Sequence, residues 1–161
     1  MIIVDIETTG LDPYADKIIE IGALKIEGEN ITAEFSELIN PGIPLPEIIK
    51  EITGIQDDML KDKPPIEEVL PRFVEFCGER TLVGHNIIDF DYKFLYNAAK
   101  RANIKFDYSL IDTLVIARRK LPKHIKKGLA QLCVYYDIHN DSAHRALGDA
   151  RATFEIYKRL K

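Results

Sequence analysis

The chain has no tryptophan and only two cysteines, Cys77 and Cys133. Far apart and without a CxxC spacing, they point away from a disulfide framework and read as reduced core thiols of a cytoplasmic protein. No apolar run approaches the roughly 20 residues of a membrane span. Met1 leads straight into an apolar segment, so no signal peptide is expected. A basic excess is also missing: 22 Lys and Arg face 26 Asp and Glu, for a net charge of −4 and a pI near 5.6. Non-specific nucleic-acid binders usually carry the opposite balance, so any contact with nucleic acid has to be local. There is no linker, repeat or low-complexity segment, and 161 residues fit one domain, residues 1–161, around one core.

The hydrophobic pattern is clear. Ile2 to Glu7, Lys17 to Ile26 and Ile31 to Ile39 read as strands, with Gly28-Glu29-Asn30 as a hairpin turn. A Pro-rich loop from Asn40 to Pro46 leads to a short helix, Glu47 to Ile52, stopped by Gly54. Helical spacing from Ile66 to Cys77 ends at Gly78, and Thr81 to His85 is a short buried strand. Helices are expected over Asp89 to Ala102, Thr113 to about Leu121, Leu129 to Tyr136 and about Arg145 to Leu160, with a last strand at Leu110-Ile111-Asp112. Hairpins followed by strand–helix alternation predict an α/β fold: a mixed sheet of about five strands, antiparallel meander first and parallel strands after, flanked by helices.

Asp5 and Glu7, two apart on the first strand, project from one face, opposite Val4 and Ile6. They sit near the strand's carboxyl end, where ligand sites of open α/β sheets collect, and could share a hard cation such as Mg²⁺ or Mn²⁺. Taken alone they also read as solvated acids at a strand end. Thr8-Thr9-Gly10-Leu11 follows, either an ordinary turn or a place with exposed backbone N–H groups where a ligand can lie against the main chain. Asp91 lies after Asn86 at a helix start, with Asp89 as a candidate cap and Phe90, Phe94 and Leu95 fixing the helix; it is either an aimed carboxylate or a solvated first-turn acid. His144 and Asp149 are five apart, about 140° on an ideal helix. To serve one site, His144 must precede the regular helix, on a lead-in suited to a general base. Otherwise the two are a helix-terminal His and a solvated Asp. His85 reads as a hydrogen-bonded structural residue. Arg118 to Lys127 is the one strongly basic segment; it guides a nucleic-acid backbone, meets a partner, or is a solvated face.

Three blocks in order, Asp5-Ile6-Glu7-Thr8-Thr9-Gly10, Asn86 to Asp91 with Phe94-Leu95, and His144-Arg145-Ala146-Leu147-Gly148-Asp149-Ala150, together resemble the DEDDh family of 3′–5′ exonucleases. That group contains the proofreading subunits and domains of bacterial replicative DNA polymerases. Asn40-Pro41-Gly42, Thr53-Gly54-Ile55 and Asp112-Thr113 add secondary matches, and the resemblance covers nearly the whole chain. Three residues, Ile87 to Asp89, separate Asn86 from Phe90-Asp91 where many members have two, which leaves Asp89 as a rival; Asp91 keeps the Phe before it and the Phe-Leu pair after it.

The resemblance implies a ribonuclease H-like fold and two Mg²⁺ or Mn²⁺ ions. Asp5, Glu7, Asp91 and Asp149 would be their ligands, and His144 the base that deprotonates the attacking water. Thr8, Thr9, Gly10, Leu11, Ile52, Thr53, Asn86 and Phe90 would line the pocket for the 3′-terminal nucleotide. The expected substrate is a single-stranded or frayed DNA 3′ end, the product 5′-mononucleotides, and a DNA polymerase subunit a candidate partner. An RNA-trimming exonuclease, a non-catalytic polymerase accessory module and a plain acidic α/β domain are the competing readings. Four carboxylates together repel, at about 4 kcal/mol for a pair about 4 Å apart at an effective dielectric near 20, so such a cluster calls for cations.

Overall fold

β1 (Ile2–Thr8) runs through the middle of a five-stranded sheet and organises everything near the candidate site. The computed structural model describes residues 1–161. β2 (Ile18–Glu27) and β3 (Asn30–Leu38) complete an antiparallel meander. The two-residue hairpin between them is closed by Gly28 at φ 64°, where a β-carbon would be strained. β4 (Leu82–Gly84) lies parallel to β1, and β5 (Leu110–Asp112) parallel to β4. The order is β3-β2-β1-β4-β5, the mixed sheet that the strand pattern predicts.

The helices are α1 (Glu47–Thr53), α2 (Asp57–Leu60), α3 (Ile66–Cys77), α4 (Asp91–Arg101), α5 (Thr113–Lys120), α6 (Leu129–Tyr136) and α7 (Ala146–Leu160). They cover both faces of the sheet. Ile2, Val4 and Ile6 pack on Leu70 and Phe73 of α3 and Phe94 and Leu95 of α4. On the opposite face Ile3, Leu24 and Ile26 pack on Ala150 and Phe154 of α7. A central strand buried on both faces needs a continuous apolar run, and Ile2-Ile3-Val4 supplies it. Ala117, Leu132 and Ile156 then lock α5 and α6 onto α7. None of the helices is long and apolar enough to cross a membrane.

Two local expectations are corrected. The helix expected from Asp89 begins at Asp91, and Asp89 does not cap it: Phe90 stands at the cap position, no side chain caps the helix, and Asp89 is exposed and paired with Lys93 at 3.0 Å. α2 was not expected at all; one turn of helix is too short to show periodicity. The remaining elements begin and end within about two residues of the sequence reading, with α1 closed by Gly54 at φ 71°.

Candidate active site

The β1–β2 register places Asp5 opposite Gly22 and Glu7 opposite Glu20. Asp5 and Glu7 therefore share the sheet face that carries Ile3, the face covered by α7. α7 can lie that close because Gly22 has no side chain: a β-carbon there would overlap the backbone of Ala146 and Leu147. Asp149, in the first turn of α7, is thereby brought to the two β1 acids. One oxygen from each of Asp5, Glu7 and Asp149 falls within 4.8 Å of the others.

Asp149 is buried and held by two donors. The Asn140 side-chain amide gives to Oδ1 at 2.7 Å and the His144 main-chain N–H gives to Oδ2 at 3.1 Å. His144 lies two residues before α7, exposed and with a left-handed backbone at φ 61°. The off-helix position that the five-residue spacing requires is the one it occupies.

Asp91 arrives from the other side. β4 ends at Gly84, so the N–H of Ile6, which points towards β4, has no strand to pair with; Asp91 Oδ1 accepts it at 3.1 Å. Asp91 is 3 % exposed. It lies outside the three-acid group but close enough to raise the pKa of Asp5. Asp91, not the exposed Asp89, is thus the acid beside β1.

The electrostatics follow from crowding. Burial, then the charges of Asp91, Asp149, Glu7 and Glu20, hold the Asp5 carboxyl well above its ordinary range. Burial and then Asp149, Glu20 and Asp91 push Glu7 up to about 8, against the pull of Arg145. Burial takes Asp91 up to about 7, opposed by its backbone hydrogen bonds. Asp149 is raised by burial, and its bonds from Asn140 and His144 work the other way. None of Asp5, Glu7 and Asp149 takes part in an ion pair. Three converging oxygen donors, none of them in an ion pair, suit a hard divalent cation.

Two supporting residues, Glu20 and Asn140, escaped the sequence reading, and a third, Asp112, entered it only as part of a secondary match. Glu20, 2 % exposed, accepts Arg145 Nη2 at 2.8 Å and the Ala146 N–H at 3.0 Å, clamping the start of α7 to β2. Asn140 steadies Asp149. Asp112 caps α5 at Leu114 and Val115 and also accepts the N–H groups of Asn86 (3.0 Å) and Ile88 (3.2 Å), which fixes the turn leading to Asp91. His85 is structural as expected, with Nδ1 2.9 Å from the Thr113 hydroxyl.

The expected pocket residues divide. Leu11 and Ile52 are exposed, at 82 % and 47 %. Asn86 and Phe90 are half-buried. Thr8, Thr9 and Thr53 are buried, and their hydroxyls are spent internally, on Gly10 O, Asp16 and Ile49 O respectively. The expectation of free backbone N–H groups in this loop is corrected at Thr9, whose N–H bonds Lys17 O at 2.8 Å.

A mixed sheet in this order, with acids gathered around its central strand, is the ribonuclease H-like arrangement. Residues 2–157 match the family model described as an exonuclease, RNase_T. The chain belongs to that exonuclease family. It is 38% identical over 160 residues to the DNA polymerase III subunit epsilon of Aquifex aeolicus, covering 99% of this chain and 79% of that protein. It is 40% identical over 159 residues to the PolC-type DNA polymerase III of Caldanaerobacter subterraneus, and there it spans 11% of the relative's length. Among solved structures, exonuclease X in complex with 5′-overhanging duplex DNA superposes with a TM-score of 0.80 at 28% identity, over 99% of this chain and 89% of that one. E. coli exonuclease I in complex with a dT13 oligonucleotide gives a TM-score of 0.86 at 22% identity, over 99% of this chain and 40% of that one, a likeness of fold.

Proposed function

We propose that residues 1–161 act as one metal-dependent 3′–5′ exonuclease unit on DNA, in proofreading or repair in the cytoplasm. Asp5, Glu7, Asp91 and Asp149 are the metal ligands in this reading and His144 the general base. The observation that carries it is the meeting of Asp5, Glu7 and Asp149 within 4.8 Å, beside a histidine held just off α7. Mg²⁺ or Mn²⁺, when bound, neutralises the crowded acids and activates water for attack on phosphorus.

The side chains divide the work. Asp5 sits between the Glu7–Asp149 side and the Asp91 side, so it is the ligand that serves both. His144 takes the proton of the attacking water, and its exposure lets that proton leave to solvent. Its main-chain bond to Asp149 ties the base to a ligand, which keeps the two in register.

The 3′-terminal nucleotide lies over Thr8 to Leu11. Leu11, Ile52 and Phe90 offer it apolar contact, Asn86 a polar edge, and the backbone near Glu7 and Thr8 recognises the 3′-OH. Thr9 and Thr53 contribute from beneath, by shape, because their hydroxyls are already used. DNA is favoured over RNA because the relatives are named as DNA polymerase III chains and exonuclease X is described with DNA. The same names support a polymerase subunit as partner.

The test is digestion of end-labelled single strands, DNA and RNA, with Mg²⁺ or Mn²⁺. The expected outcome on 5′-labelled DNA is a ladder shortening from the 3′ end, with labelled mononucleotide released at once from the 3′-labelled strand, and slower digestion of RNA. Internal fragments, or release from the 5′ end first, would sink the proposal.

A further inference from the structure

The stretch from Thr113 to Tyr136 contains no Asp or Glu, in a chain whose net charge is −4. It holds Arg118, Arg119, Lys120, Lys123, His124, Lys126 and Lys127. The first six are exposed, and none of them forms an ion pair. Elsewhere several surface cations are neutralised, such as Lys50 by Glu47 and Asp57 or Arg72 by Glu37.

Lys127 behaves differently. Its ammonium donates to the carbonyls of Pro122 at 2.6 Å, Ile125 at 2.5 Å and Lys123 at 3.4 Å. That closes residues 122–127 into a fixed turn, with Lys123, His124 and Lys126 on its outside. The charges are thus presented on an ordered loop rather than a loose one.

The turn also has a defined place relative to the acids. One residue beyond Gly128, α6 begins. Its Leu129, Ala130, Cys133 and Val134 form one wall of an open groove of about 410 Å³ that His144 and Asp149 also line. The groove therefore leads from the acid cluster to the first turn of α6, where the basic turn adjoins it.

We infer that the basic turn between α5 and α6, with Lys123 and Lys126 at its tip, is the track for the phosphate backbone of single-stranded DNA leaving the active site along the α6 groove. The inference rests on the exonuclease reading and names the path of that enzyme's substrate. A strand has an apolar base-and-sugar side and a charged phosphate side, and the groove has an apolar wall with unpaired cations at its end. Exposed charges are screened within about 10 Å at ordinary salt, so cations must adjoin the strand's path to offset the repulsion between an acidic protein and a polyanion, and this turn runs through Gly128 directly into the groove's α6 wall. An acidic protein partner would meet the same charges but has no use for continuity with the His144–Asp149 groove.

The test compares the 161-residue chain with its K123Q/K126Q variant. Both lysines are exposed, so the variant should fold, with a Tm matching wild type. Two probes are used: the p-nitrophenyl ester of thymidine 5′-monophosphate, which has no upstream strand, and a fluorescein-labelled oligo(dT) of about 12 nucleotides. The ratio of kcat/KM on the strand to kcat/KM on the ester should fall about five- to tenfold in the variant, and the salt slope of strand binding, read by anisotropy, should drop by about 1. An unchanged ratio and slope would overturn the track, and is also what a protein-docking role for the turn gives. Failure of wild type to hydrolyse either probe would instead overturn the exonuclease reading, and the anisotropy slope would still decide the track.

Discussion

At His144 the backbone is left-handed, at φ 61°, a conformation that costs a residue with a β-carbon on the order of 1–2 kcal/mol. The strain is held by the bond from its own N–H to Asp149 and by the Glu20 clamp two residues on. The five-residue spacing from Asp149 places His144 off the helix but does not explain its fixed position. The reason is Glu20, whose contact with Arg145 and Ala146 spans 125 residues of chain and appears only once the hairpin register is known. If the imidazole is the base, His144→Ala loses about 10²–10⁴-fold in kcat while its thermal melt stays with wild type, and added free imidazole restores part of the rate. Full activity in His144→Ala would remove it from the mechanism.

Among the elements, α7 and β2 decide the geometry, and the contact between them is backbone on backbone at Gly22. Gly22→Ala should cost about 1–3 kcal/mol by overpacking, seen as a lower denaturant midpoint. Activity should fall with it, because Asp149 and His144 ride on the same first turn. A variant as stable and active as wild type would show that α7 does not need this approach.

The long periodic elements were legible because their apolar residues repeat with a clear period, as at Val69, Leu70 and Phe73 of α3. The start of α4 was not, since Asp89 looks like a cap; Asp112 accepts two N–H groups of the preceding turn and delays the helix to Asp91. The five acidic and imidazole candidates were legible from residue type and order. Asn140 and Glu20 were not, and Asp112 was seen as a motif match without its role, because polar residues in loops and strands carry no signal until their partners are placed.

For the molecule as a whole the crowded acid cluster is a source of instability that a bound cation would relieve. Glu7 and Asp91, at about 8 and about 7, keep protons in the fold that the unfolded chain releases near the ordinary carboxylate values of 4.5 and 3.8. The folded state holds the extra protons, so stability is greatest in mild acid and falls as pH rises through those folded values. In EDTA, Tm should therefore drop from about pH 5 to about pH 8 beyond what the rest of the chain explains, and Mg²⁺ or Mn²⁺ should recover it most at the alkaline end, where the ligands are free of protons. Melts indifferent to both pH and metal would mean that the acids are not a cation site.

The most direct measurement is the initial rate of 3′-terminal mononucleotide release from single-stranded DNA, for wild type and Asp5→Ala, each with Mg²⁺ and with EDTA. Asp5 faces the Glu7–Asp149 side and the Asp91 side alike, so its removal should take the rate to the EDTA background while the protein remains folded. Release by Asp5→Ala at the wild-type rate, or release by wild type undiminished in EDTA, would contradict the account.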